Sequence, residues 1–137
     1  MSIHYNMRLF DYRRVTLKRD MELIRSLLLA IEESPNDYTF DNYDGGVVRY
    51  HEALLVEKGL VEGSISKEKI GIEPPSVRIY KLTWDGHEFI DNLRDENVWN
   101  SIKSDFKEAS FSTIAKVSKD LAEGFAKKKI EAILGHI

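Results

Sequence analysis

Between residues 18 and 33 apolar side chains recur every three or four positions (Met21, Leu23, Ile24, Leu27, Leu28, Ile31), which predicts an amphipathic helix. Ser34-Pro35-Asn36-Asp37 ends it, because proline disfavours helical backbone at the preceding residue and Asn and Asp favour turns. Tyr38-Thr39-Phe40 is predicted as a short strand. After Asp44-Gly45-Gly46 a second helix is predicted over residues 47–58, with Val48, His51 and Leu55 turned inward and Gly59 as its left-handed cap. Residues 60–66 and 76–82 alternate in part, are rich in Val and Ile, and flank the polar stretch KEKIGIEPP, the pattern of a hairpin with a long tip. Thr83 is placed to cap a third helix carrying Trp84, Phe89, Ile90 and Leu93 on one face, with a break near Asp95. Val98, Trp99, Ile102 and Phe106 continue the apolar pattern. Ser110 or Ser112 then starts a last helix in which Ile114, Val117, Leu121, Phe125, Ile130, Ile133 and Leu134 outline a broad stripe.

This order predicts an α+β fold, mostly helical: a winged helix-turn-helix-like domain over residues 18–109, with a β-hairpin wing and a long C-terminal helix over residues 110–137. Residues 1–17, aromatic and basic (His4, Tyr5, Arg8, Phe10, Tyr12, Arg13, Arg14), show no clean period and are expected to form an arm. A chain of 137 residues with 42% hydrophobic content suffices for one core. The last helix is too apolar to stand alone, so it is expected to pack on that core or to join two copies as a homodimer.

The absence of cysteine excludes disulfides, thiolate metal sites and a cysteine nucleophile, and fits a reducing, cytoplasmic setting. The longest apolar run, SLLLAI at residues 26–31, is far short of the roughly 20 residues that span a bilayer, and no membrane partner is expected. The net charge of −3 is unevenly spread: residues 1–20 carry +3, 21–46 carry −5, 47–82 carry +1, 83–110 carry −4 and 111–137 carry +2. Nucleic-acid binders more often show a clear basic excess or patch.

The string VRYHEALLVEKGLV (residues 48–61) resembles the recognition helix and first wing strand of ArsR-type and PadR-type regulators. The hairpin exit YKLTWDGHEFID (residues 80–91) is similar to the Leu-Thr-x-x-Gly step by which MarR-type and PadR-type wings enter their next helix. A wider resemblance runs through LKRDMELIRSLLLAIEES, YHEALLVEKGLVEG, LTWDGHEFIDNLRDENVWNSIK and the lysine-rich end of the last helix, which look like the bacterial and prophage family called domain of unknown function 2513. That resemblance implies a start near Lys18-Arg19-Asp20-Met21 and leaves residues 1–16 as an extension; it implies no activity. Two features depart from the regulator pattern. The stretch before Val47 is too short for a full second helix, and Glu52 stands where such helices place Leu or Ile.

If the second helix enters a major groove, Gly46, Arg49, Tyr50 and Ala53 are its expected outward residues. Arg49 is then the donor for a guanine or phosphate and Tyr50 its neighbour. Lys67, Lys69, Arg78 and Lys81 on the wing, with Arg8, Arg13 and Arg14 on the arm, would contact phosphates. The expected function is thus a double-stranded DNA-binding transcription regulator. The alternative is an adaptor that holds a protein partner, with the acidic stretches 21–46 and 83–110 as its contact surface.

Enzyme chemistry is not expected. His87-Glu88-Phe89-Ile90-Asp91 approaches the two-histidine zinc motif, but an aspartate replaces the second histidine. Gly45-Gly46 lacks the Lys-Ser or Lys-Thr of a phosphate-binding loop, and no cofactor or metal is expected. Asp91, Asp95 and Glu96 are ordinary helix-end carboxylates. His51 is expected to hydrogen-bond within the core, Trp84 and Trp99 to anchor it, and Lys127-Lys128-Lys129 to complement a helix dipole.

Overall fold

The computed structural model describes residues 17–66 and 76–135. Among them are five helices and one two-stranded antiparallel sheet: α1 Met21–Glu33, α2 Gly45–Lys58, β1 Val61–Ser66, β2 Ser76–Leu82, α3 Trp84–Leu93, α4 Glu96–Asp105 and α5 Phe111–Leu134. The fold is α+β and mostly helical. The backbone divides into two compact units, one ending at Gly86 and the other beginning at His87.

In the first unit Asp20 caps α1, its carboxylate accepting from the backbone N–H of Glu22 (2.9 Å) and Leu23 (3.2 Å). All six predicted apolar positions of α1, Met21 through Ile31, are buried. They pack with α2 and β2, while α2 also lies against both strands. Gly59 ends α2 at φ 84°, a left-handed backbone that a side chain would strain, and its N–H returns to the carbonyls of Leu55 and Val56.

No strand forms at residues 38–40. Asn36, itself at a positive φ of 67°, takes over the edge of β2 with one side chain: its amide donates to the Ile79 carbonyl and accepts from the Ile79 N–H at 3.1 Å. The side-chain amide thus meets both backbone groups of Ile79, as one residue of a third strand would. Tyr38 is then available to reach α2.

In the second unit α3 stops at the predicted break. Asp95 caps α4 by accepting from the N–H groups of Asn97 (2.8 Å) and Val98 (3.2 Å), and Val98, Trp99 and Ile102 are buried. Ser110, not Ser112, caps α5, accepting from the Thr113 N–H at 3.2 Å. α5 packs on α4, and Phe111 meets Phe89 of α3 with ring centroids 5.0 Å apart. Ile114 and Ser118 are buried, Val117, Leu121 and Phe125 half-buried, and Ile130, Ile133 and Leu134 exposed. The apolar stripe of this helix therefore splits into a covered first half and an uncovered second half.

Candidate interaction surface around α2 and the hairpin

The core of α2 is polar at two successive residues. His51 is fully buried, and both ring nitrogens are engaged: Nδ1 donates to the Val47 carbonyl (2.9 Å) and Nε2 accepts from the backbone N–H of Asp20 (2.9 Å). This fixes the neutral Nδ1–H tautomer and ties the cap of α1 to the first turns of α2. Burial lowers the His51 pKa, against weaker opposite pulls from the Val47 hydrogen bond and the Asp20 charge.

Glu52, also buried, accepts from the Tyr38 hydroxyl at 2.5 Å. Burial raises its pKa, while the Tyr38 hydrogen bond and the nearby Arg49 charge pull the other way. Burial, and then Glu52 itself, drives the Tyr38 phenol well above its ordinary range. The residue that replaces the expected Leu or Ile thus serves to hold the segment before α2. Among the described residues no buried side-chain polar atom lacks a partner.

The outward side expected of α2 needs correction. Gly46 is buried, Ala53 is 5% exposed, and Tyr50 is half-buried with its ring edge 5.7 Å from the His51 ring; only Arg49 of the four is exposed. The cause is that α2 is wedged against α1, β1 and β2, so buried residues surround much of its circumference. Arg78 and Lys81 are exposed on β2, Lys81 loosely paired with Glu62 at 3.8 Å. Lys67, Lys69 and the arm residues Arg8, Arg13 and Arg14 lie outside the described residues.

Two exposed aromatics stand in the same unit, and neither was anticipated as a surface residue. In the β1–β2 register Glu62 pairs with Lys81 but Gly63 with Ile79, leaving Tyr80 as the extra residue of a bulge, 52% exposed. A Cβ on Gly63 would lie 2.6 Å from the Arg78 carbonyl oxygen, so the bulge requires glycine there. The Tyr80 hydroxyl lies 3.2 Å from Ser64 Oγ.

Trp84 is 78% exposed, although it was expected in the core with Phe89, Ile90 and Leu93. At about 100° per residue it stands on the other side of α3 from those three, a signal the sequence already held. Trp99, on α4, is buried as expected.

The backbone under Trp84 is held rigidly. Thr83 donates its hydroxyl to the Gly59 carbonyl (2.6 Å) and its N–H to the Leu60 carbonyl (3.0 Å), while its oxygen accepts from the Gly86 N–H (3.0 Å). A Cβ on Gly86 would fall 1.9 Å from the Leu60 carbonyl oxygen, so only glycine allows α3 to start this close to the hairpin.

His87, Glu88 and Asp91 do not converge as ligands: Asp91 is bridged by Arg94 at 2.8 Å, and among the described residues no group of three or more His, Cys, Asp or Glu could hold a metal ion. No helix among them is long and apolar enough to cross a membrane.

The family model described as "Hypothetical protein (DUF2513)" matches residues 18–112, well over half of the chain. The chain belongs to the DUF2513 family. Its match begins two residues before the Asp20 cap and ends in the first turn of α5, so the family spans the hairpin and the Thr83–Gly86 junction. An uncharacterized protein of Haemophilus influenzae (strain ATCC 51907 / DSM 11121 / KW20 / Rd) is 33% identical over 115 residues, covering 78% of this DUF2513 chain and 93% of that relative. No solved structure matches.

Proposed function

We propose that this DUF2513 protein is a winged-helix-like module that holds another protein, docking it on the hairpin side of its first unit through Trp84 and Tyr80. The observation that carries the reading is Trp84: a large aromatic, mostly in solvent, on a backbone fixed by Thr83, Gly59, Leu60 and Gly86. Exposing a tryptophan in water gains nothing for folding, whereas rigid, exposed Trp and Tyr are the side chains that dominate protein contacts. The order α1, α2, hairpin, α3 supports the winged-helix comparison, with Asn36 in place of the short strand.

Affinity capture with nuclease-treated extract tests the proposal. The expected result is a defined partner retained by the wild type and by Arg49→Ala, and lost from Trp84→Ala.

A second reading, binding of double-stranded DNA in transcription regulation, is favoured by the exposure of Arg49, Arg78 and Lys81. It has less support, because the helix that would enter the groove offers Arg49 and little else. Under it, fluorescence anisotropy with duplex fragments from the surrounding genome should show binding that weakens steeply with salt and drops on Arg49→Ala.

A further inference from the structure

On α5 the residues Ala122, Ala126, Ile130 and Ile133 are spaced by four, four and three positions and so form one stripe. Its far end is uncovered: Ile130, Ile133 and the adjacent Leu134 are 54%, 69% and 56% exposed. Beside the near end run two open clefts of about 350 and 440 Å³, which share Asp91 and Asn92 and so form one furrow along α5. Ala122, Phe125 and Ala126 give it an apolar floor. Its walls carry Glu88, Asp91, Asp95 and Glu123 against Lys119 and Lys129, with Asp91 also bridged by Arg94 at 2.8 Å, which leaves a small excess of carboxylates. The uncovered end of the helix has the opposite character, with Lys127, Lys128 and Lys129 leading into Ile130, Ile133 and Leu134.

We infer that the occupant of the furrow is α5 of a second copy, lying antiparallel. Its Lys127 and Lys129, which flank the stripe, face the carboxylate wall, and its Ile130 and Ile133 rest on Ala122 and Ala126, whose small side chains allow close approach. Only the antiparallel arrangement sets the basic, apolar end of each helix against the acidic furrow of the other. Two-fold symmetry makes the contact twice and so doubles the area buried toward the roughly 1,200 Å² of a stable interface.

Sedimentation velocity of the full chain across a concentration series tests this. The expected result is a reversible monomer–dimer equilibrium, weakened at least about tenfold, or ~1.4 kcal/mol, by Ile130→Glu at unchanged helix content. Reversing the lysines (Lys127→Glu, Lys128→Glu, Lys129→Glu) should weaken it likewise. Adding Glu88→Lys and Asp91→Lys to that variant should bring it back. A single monomeric species at every concentration, or association indifferent to these changes, overturns the inference, as does a different protein found seated on Ile130 and Ile133. None of these residues is Trp84 or Tyr80, so a monomer would leave the proposed function standing.

Discussion

At the scale of single residues, the sharpest consequences come from the two buried titratable groups of α2. His51 must be neutral at Nε2 to accept the Asp20 N–H, and its folded pKa lies below the ordinary 6.5. Its contribution to stability is therefore complete above pH 6.5 and is lost as pH falls through the lowered value. His51→Gln should remove that dependence and cost roughly 1–3 kcal/mol near neutrality, because the Asp20 N–H or the Val47 carbonyl loses its partner. Glu52 acts in the opposite sense. Its folded pKa is raised above 4.5, so its contribution is complete below that value and is lost as pH rises through the folded one. Glu52→Gln should flatten this second slope and keep an acceptor for Tyr38. Urea unfolding of wild type and both variants at a series of pH values separates the two: the His51 variant changes the slope just below 6.5, and the Glu52 variant changes the one that starts near 4.5. Identical pH profiles in all three proteins would contradict the burial of the two groups that shifts their pKa values.

At the scale of elements, the helices and hairpin were legible because each announces itself by period and cap: the apolar repeat from Met21 to Ile31, Gly59 after α2, Thr83 before α3, and Ser110 before α5. The predicted strand at residues 38–40 failed for a local reason. Tyr38 and Phe40 read as strand residues, yet the outward backbone groups of Ile79 on β2 are met by the Asn36 side chain, and propensity cannot foresee an amide standing in for a strand residue. Asn36→Ala should therefore cost about 1–2 kcal/mol in urea unfolding, more than a surface turn residue normally costs. Gly86→Ala is a harsher change. Its new methyl group would overlap the Leu60 carbonyl, and a loss above about 2 kcal/mol is expected, with the hairpin and α3 forced apart at their junction. Thermal or chemical denaturation checks both, and a Gly86→Ala protein of wild-type stability would refute the close approach.

At the scale of the whole molecule, the surface was harder to read than the core, since α2 places its apolar residues all round and gives no single outward side. Arg49 is exposed, whereas Gly46 and Ala53, expected beside it, are buried. Trp84 belongs to the core only if it shares a face with Phe89, Ile90 and Leu93, and helical geometry puts it on the opposite side. Tyr80 depends on a bulge, and a register shift is a property of the strand pair, not of either strand alone. Under the proposed function Trp84 serves binding and not folding. The central test of that proposal is quantitative capture from nuclease-treated extract, comparing wild type, Trp84→Ala and Arg49→Ala at matched thermal stability. It predicts one partner bound by wild type and Arg49→Ala and lost with Trp84→Ala. Capture that vanishes on nuclease treatment, or that follows Arg49 and ignores Trp84, would contradict it.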